Sequence, residues 1–408
     1  MILSHKIRLS PTLGQTAYFW QACGVSRFAY NWALSEWEKL HSKNEKVNGR
    51  ILKKKFNAIK KKEYPWSREV HRDCTARSFD DIQAAFSAFF RRIKRKDKPG
   101  YPTFKKKGRS KDSFYIANDQ FEIHGRKIRI PSLGWVGMRE DLRFKGKIMS
   151  ATVSRTADYW FVSVTVDTKV SSKPPKTKGV VGVDLGISAF ATLSNGRKIK
   201  HSERMGRVEG GIMRSQQSLS RKQKGSSNRR KAIVRLARKH YKLACLRSDT
   251  IHKATVDLVD NYSVIVIEDL NVKGMLRNRR LSRSISSQGW FEFRRQLEYK
   301  CRMYGRKLVV ADRWFPSTKT CSSCGQVRKI GLSERTYKCE CGLEIDRDLN
   351  AARNLQQLGA TCPDVMPVET GALAGAFSGE TIVCEAGTNH MKLGRSLSQA
   401  FESRRPPT

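Results

Sequence analysis

The sequence predicts a multidomain chain of the α/β class, on three observations. Two apolar runs, G-V-V-G-V-D and V-I-V-I-E, have the length and composition of buried strands, and each ends in an acid, Asp184 and Glu268. Stretches with apolar residues at i, i+3, i+4 and i+7 lie on either side of them, as amphipathic helices require. Between residues 113 and 167 the apolar period shortens to two, the period of a sheet.

Size and charge narrow the function. The chain has 408 residues, of which 39% are hydrophobic, enough to build two or three domains with buried cores. Its 80 Lys+Arg against 37 Asp+Glu leave a net charge of +43. A field of that size attracts a polyanion, and nucleic acid is the expected partner. No apolar run approaches the roughly 18 residues of a membrane span. The opening M-I-L-S-H-K-I-R-L lacks an apolar signal core. The expected setting is the cytoplasm, or association with the nucleoid. Ten cysteines do not imply a disulfide scaffold in a chain this long. Four of them sit at metal-ligand spacing, and the others (Cys23, Cys74, Cys245, Cys301, Cys362, Cys384) read as reduced thiols.

Taken in order, residues 1–10 alternate as a strand with no partner nearby. From Thr12 the period becomes helical. Phe19, Trp20, Cys23, Phe28, Tyr30, Trp32, Leu34 and Trp37 mark one pair of helices. Phe79, Ile82, Ala85, Phe86, Phe89, Phe90 and Ile93 mark another long helix over 68–95. Residues 94–111 form a basic linker in which Tyr101 and Phe104 interrupt the cations, a pattern suited to phosphates and stacked bases. The strands of 113–167 form a small barrel or sandwich, to which the first strand returns. The helical unit 11–111 is therefore an insertion between 1–10 and 112–170.

After a linker at 168–179, a strand ending at Asp184 begins a three-strand meander with a turn at Asn195-Gly196. Residues 205–255 are helical and strongly basic, with a break at Gly225-Ser226-Ser227. Arg221, Lys222, Arg229, Arg230, Arg235 and Arg238 are candidate contacts to a nucleic-acid backbone. A strand to Glu268, a basic loop, a helix over Phe291–Tyr304, a strand over Lys307–Ala311 and a last helix from Arg347 to Leu358 follow. Residues 359–408 lose all periodicity and are expected to be disordered.

Two sites carry chemistry. Cys321-x2-Cys324 and Cys339-x-Cys341, separated by fourteen residues and each followed by a glycine, can close a tetrahedral zinc site. Four thiolates leave no open position, so this zinc is structural. The second pair is a tighter knuckle than the commoner C-x-x-C.

The other site is acidic. An acid inside an apolar strand is costly unless it is paired or binds a cation, and Asp184 stands in such a strand. Glu268 ends a second one. Asp348 opens the final helix, where the helix dipole adds positive potential, and Asp346 stands two residues before it as a supporting acid. Two divalent cations held between carboxylates hydrolyse phosphodiesters by clamping the attacking and leaving oxygens. Three acids in this order, on a meander, a fourth strand and a last helix, fit the RNase H-like nuclease layout.

With these residues in place, the chain resembles the TnpB family of transposon-encoded, RNA-guided nucleases related to type V CRISPR effectors. The motifs that carry the resemblance are G-V-D-L-G, I-E-D-L, R-S-I-S-S-Q-G-W, F-P-S-T-K-T-C-S-S-C-G and D-R-D-L-N-A-A. The resemblance implies a β-barrel wedge domain (1–10 and 112–170) interrupted by a helical recognition domain (11–111). It implies a RuvC nuclease (171–315 and 346–358) with an inserted zinc ribbon (316–345). It further implies Asp184, Glu268 and Asp348 as the catalytic triad, two Mg2+ ions and one Zn2+. The implied partners are a guide RNA and double-stranded target DNA, bound by one protein chain and cut beside a short flanking motif. The resemblance places readers of that motif around His71, Arg72 and Thr75, with Tyr115 and Asn118. Two other readings stay open: a nuclease-silent RNA-guided repressor, and an RNase H-like transposase that joins strands without RNA.

Overall fold

A computed structural model describes residues 1–168, 176, 179–331, 334–361 and the backbone of 382–384. The chain divides into two compact units, one over residues 1–169 and one over 170–375, with parts of the following segment assigned to each. Most of 359–408 lies outside the described residues, and so does its expected disorder.

In the first unit, β1 (Ile2–Ser10) leads into α1 (Leu13–Ser42), α2 (Gly49–Glu63) and α3 (Asp73–Lys94). Thr12 starts α1 with a reciprocal cap: its hydroxyl accepts from the Gln15 N–H, and its own N–H donates to Gln15 Oε1. Asn48 caps α2 through the Ile51 N–H. The three helices share a core of Leu34, Trp37, Leu52, Phe56, Phe79 and Phe86, in which the Trp37 and Phe86 rings stack at 4.1 Å. The apolar stripe of α3 outruns this core, because Phe90 and Ile93 are exposed.

Strands β2 (Ser113–Ala117), β3 (Glu122–His124), β4 (Lys127–Ile130), β5 (Gly134–Met138), β6 (Lys147–Thr156) and β7 (Tyr159–Asp167) complete the unit. They join β1 in the order β2-β6-β7-β1-β5-β4-β3. β1 pairs with β7 from Ile2 to Arg8, then switches to β5 at Leu9 and Ser10, so the sheet bends around an apolar core. The backbone of a further strand, β15 (Ile382–Cys384), lies parallel to β1.

The expected barrel does not close. Among the described residues β2 and β3 are not joined. At the end of β2, Asp73 on α3 accepts the Ala117 N–H at 2.9 Å. At the other end, β3 is only three residues long.

The second unit is built on a five-stranded sheet, β10-β9-β8-β11-β12. Its strands are β8 (Val180–Asp184), β9 (Ala191–Leu193), β10 (Lys198–Ile199), β11 (Val264–Glu268) and β12 (Lys307–Ala311). The first three form an antiparallel meander, while β11 and β12 run parallel to β8. Two basic helices, α4 (Arg204–Ser220) and α5 (Ser227–Asn261), join β10 to β11. The helices α6 (Val272–Met275), α7 (Ser282–Gln288) and α8 (Trp290–Tyr304) join β11 to β12. A short hairpin, β13 (Thr336–Lys338) and β14 (Glu344–Asp346), precedes α9 (Arg347–Thr361).

Side-chain alternation gives the sheet two apolar faces. Val181, Val183, Ile265 and Ile267 pack against Ile251 and Leu258 of α5 and Phe293 and Leu297 of α8. Val266 and Val309 on the other face pack against Leu355 of α9. Two glycines let α9 approach closely. A Cβ on Gly182 of β8 would lie 1.9 Å from the Ala352 carbonyl oxygen, and one on Gly359 of α9 would lie 2.4 Å from Val266 Cγ2.

Gly182→Ala forces backbone against backbone, so it should destabilise the second unit by about 3 kcal/mol. Thermal denaturation should show a large drop in Tm. Gly359→Ala meets the tip of a valine and should cost less.

Candidate active site and metal centre

The site grows from the alternation just described. Gly182 faces α9, so Asp184, two residues on, faces it too. Val266 faces α9, so Glu268 does as well. The parallel register pairs Val183 with Ile267. One step further, at the carboxyl ends of the strands, Asp184 and Glu268 stand side by side. Helix α9 runs antiparallel to β8: Gly359 lies by Val180, and Ala352 and Gln356 lie by Gly182. Its first turn therefore carries Asp348 to the same end of the sheet. A Cβ on Gly186 would lie 3.9 Å from Asp348 Oδ2. The structure thus brings Asp184, Glu268 and Asp348 together from three elements.

Asp184 is 7% exposed. Burial, and then the negative charges of Glu268 and Asp348, hold its carboxyl well above the usual range. Burial also raises Glu268, against a hydrogen bond from Ser317 that favours its charged form. Asp348 has Arg347 Nε 3.7 Å from Oδ1. Asp346 is the helix cap: its Oδ1 accepts from the N–H groups of Asp348 and Leu349, each at 3.1 Å. Burial would raise the Asp346 carboxyl, but the Lys198 ammonium at 2.9 Å and these N–H groups hold it low.

Buried acids that repel one another suit a cation. Carboxylates converging from different elements are the donor set a hard, octahedral ion takes, with waters filling its remaining positions. Asp184, Glu268 and Asp348 fit magnesium on that ground.

The four thiols form the second cluster. Cys321, Cys324, Cys339 and Cys341 bring their sulfurs within 4.8 Å of one another. The Cys321–Cys341 and Cys324–Cys339 pairs are each 3.6 Å apart. Sulfurs at about 2.3 Å around a tetrahedral zinc would stand about 3.8 Å apart. Gly325 and Gly342, at φ +78° and +88°, turn the chain back after each pair. Burial would raise the Cys321 thiol, but the N–H groups of Cys324 and Ser323 outweigh it and bring it down to about 6. The cluster could hold zinc, and the shorter C-x-C spacing does not prevent its four sulfurs from converging.

Three residues without an assigned role in the sequence tie the two clusters together. Asn350 and Asn354, one turn apart on α9, are 0% and 2% exposed. Asn350 accepts from the Ser322 N–H and donates to the Thr320 carbonyl. Asn354 donates to the Ser317 and Thr320 carbonyls, each at 2.7 Å. The Ser317 hydroxyl in turn donates to Glu268 Oε1. The segment 317–322 therefore runs from Glu268 to the first cysteine knuckle, pinned to the helix that carries Asp348. The legible signal was an asparagine pair at i, i+4 on a helix, which has no reason to be polar on a buried face.

The other candidates fall into two groups. In the first unit, His71 and Thr75 are buried: His71 Nε2 lies 3.2 Å from Gln120 Oε1, and the Thr75 hydroxyl donates to the Arg72 carbonyl. Arg72 is exposed and pairs with Asp119, beside the exposed Asn118. Tyr115 is half-buried, 5.9 Å beneath the Arg77 guanidinium. In the second unit, Arg230, Arg235 and Arg238 line one groove with Lys231 and Val234. Arg221 is exposed and Lys222 half-buried. Arg229 is turned inward, donating to the Leu219 and Lys222 carbonyls at the end of α4. No described helix is long and apolar enough to cross a membrane.

Three family descriptions match parts of the chain. A family described as "probable transposase" matches residues 162–279, and a "Cas12f1-like, TNB domain" matches 290–355. A "helix-turn-helix domain" matches 1–46, which here are β1 and the single long helix α1. A protein of Streptomyces pristinaespiralis bearing the provisional name RNA-guided DNA endonuclease is 35% identical, over 91% of this chain and 94% of its own. An Escherichia coli K12 protein with the same provisional name is 30% identical, over 87% of this chain and 91% of its own. Among solved structures, the protein of a Cas12f1–sgRNA–target DNA complex superposes with a TM-score of 0.56 at 16% identity, over 85% of this chain and 83% of that one. That likeness establishes a shared fold.

The raised carboxyls fix a pH dependence. A carboxyl whose folded pKa lies above its unfolded value adds stability that is full below the unfolded value, about 4, and lost as pH rises through the folded one. In the metal-free protein these two carboxyls should therefore contribute a downward slope of stability with pH above about 4, against the opposite slope of the depressed Asp346 and Asp269 carboxyls. Asp184→Asn should flatten this slope and raise Tm by a few degrees in the presence of a chelator. Denaturation across that pH range checks both, and an unchanged slope contradicts the buried-acid assignment.

Proposed function

We propose a function from one premise: this chain belongs to the TnpB family. It is an RNA-guided DNA endonuclease, and the convergence of Asp184, Glu268 and Asp348 carries the reading. The nuclease occupies 171–315 and 346–358, with a zinc ribbon over 316–345. The wedge, 1–10 and 112–170, and the helical recognition domain, 11–111, make up the first unit. Guide pairing reads most of the target, and the protein reads a short flanking motif, in the division of labour of RNA-guided nucleases. Within the first unit, Arg72, Asn118 and Tyr115 are the motif readers we favour, with His71 and Thr75 holding them in place. The cationic groove of Arg230, Arg235 and Arg238 supports backbone contacts. The protein acts in the prokaryotic cytoplasm, at the nucleoid, as one chain per RNA.

Asp184, Glu268 and Asp348 would hold two magnesium ions, which would supply charge stabilisation for phosphodiester hydrolysis. Ser317 orients Glu268 and favours its charged form against the effect of burial, and Asp346 caps the helix that presents Asp348. With all of these acids present, we favour a live nuclease over a silent repressor.

The description "probable transposase" over 162–279 keeps a second reading in view. That reading requires joined strands without RNA. The discriminating experiment uses protein purified with its co-expressed RNA and a plasmid carrying the matched target within randomised flanks. Magnesium should give a guide-dependent double-strand break. Asp184→Ala, Glu268→Ala or Asp348→Ala should each slow it more than about a hundredfold, with RNA binding retained. The triple variant should be little worse than one substitution, because the acids act as a unit. Strand joining without RNA, or cleavage that survives Asp184→Ala, overturns the reading.

A further inference from the structure

Two large aromatic side chains face solvent at the catalytic end of the second unit's sheet. Trp314 is 86% exposed and Phe291 is 69% exposed. Neither position is accidental in the topology. Glu268 pairs in register with Ala311, the last residue of β12, so Trp314 stands three residues beyond the partner of a catalytic acid. Phe291 lies in the first turn of α8. That helix links two parallel strands, so its start lies at their carboxyl ends. There Gln288, just before it, donates to the Ile187 carbonyl in the loop after Asp184.

Both aromatics stand on anchored backbone. The Asp312 carboxylate accepts the Trp314 N–H at 2.8 Å. Asp269, the residue after Glu268, takes two guanidiniums at once: Arg294 at 2.6 Å and Arg313 at 2.5 Å. Arg294 is one turn beyond Phe291, and Arg313 adjoins Trp314. A single carboxylate thus ties the two aromatic-bearing segments together beside the acids. On the far side of Trp314, Ser317 is fastened to Glu268 and to Asn354. A solvent-facing indole on held backbone has no use in a core. It offers a flat apolar face among cations, and a nucleobase of an unpaired strand matches that chemistry, because every base has a face to stack.

We infer that Trp314 and Phe291 form a base-stacking platform that seats the single DNA strand entering the site of Asp184, Glu268 and Asp348. The platform is a positioning device. Stacking on either side of the scissile phosphate fixes the sugar-phosphate path across the carboxylates. It reads no sequence, which suits an enzyme whose specificity comes from guide pairing. The inference rests on the nuclease reading for the identity of its strand, and its test separates the two.

The protein–RNA complex is given matched target strands carrying 2-aminopurine at successive positions. Binding is followed by fluorescence with calcium in place of magnesium, and cutting is followed with magnesium. Trp314→Ala, Trp314→Leu, Trp314→Tyr and Phe291→Ala are compared with Leu13→Ala, a substitution of an exposed residue in the first unit. Wild type should quench 2-aminopurine at a few adjacent positions. Trp314→Ala should abolish that quenching and raise KM for cutting about tenfold, with kcat changed less than about twofold. Trp314→Tyr should restore both, and Trp314→Leu should restore neither. Phe291→Ala should shift or weaken the quenched positions. Wild-type quenching that survives Trp314→Ala, or leucine rescuing as well as tyrosine, overturns the platform. Absence of quenching at every position overturns it as well. Quenching that depends on Trp314 in a complex that cuts nothing would uphold the platform and refute the nuclease.

Discussion

The second unit depends on one close approach, that of α9 to the central strand of its sheet. Gly182 and Gly359 lack the atoms that would hold the helix away. With the helix seated, its first turn must arrive where β8 and β11 end. Three carboxylates then share one end of the sheet, although like charges at short range repel and burial penalises Asp184 and Glu268. The packing of Val266, Val309 and Leu355 supplies the favourable energy that sustains this arrangement. A site that is electrostatically unfavourable when empty gains most from a divalent ion.

Around that approach, hydrogen bonds do what apolar packing cannot: they fix orientation. Asn350 and Asn354 would be costly on the buried side of α9 if left unpaired. Each instead grips the backbone of 317–322. The same segment supplies the hydroxyl on Glu268 and begins the cysteine knuckle. A zinc held by the four thiols would stiffen this segment from one end while the asparagines hold it from the other. The cysteine cluster is thus tied to Glu268 and to the helix that carries Asp348 through one hydrogen-bonded segment.

Much of this was legible in the residues. The alternation of β1, the acid-ended apolar runs and the Gly-punctuated cysteine pairs each announce a local structure governed by nearby sequence. The helix break at Gly225-Ser226-Ser227 and the turn at Asn195-Gly196 do the same. What escaped depends on tertiary partners. The sheet of the first unit looked closable by its period alone, but among the described residues it ends open at β2 and at the three-residue β3, and no strand pattern reports that. Arg229 looked like one more solvent-facing cation, yet it caps a helix ten residues away. Ser317, Asn350 and Asn354 sat in plain view within recognisable motifs, but their roles exist only once α9 has docked. Phe90 and Ile93 continue an apolar stripe past the helical core and stand exposed among the described residues.

The central claim is that Asp184, Glu268 and Asp348 form one cradle for a pair of divalent ions. Manganese can replace magnesium and be observed directly by electron paramagnetic resonance in the protein–RNA complex. Two ions about 4 Å apart should give an exchange-coupled spectrum. That spectrum should vanish in Asp184→Asn, in Glu268→Gln and in Asp348→Asn alike. A coupled spectrum that persists without Asp348, or only isolated manganese in the intact protein, would contradict the cradle.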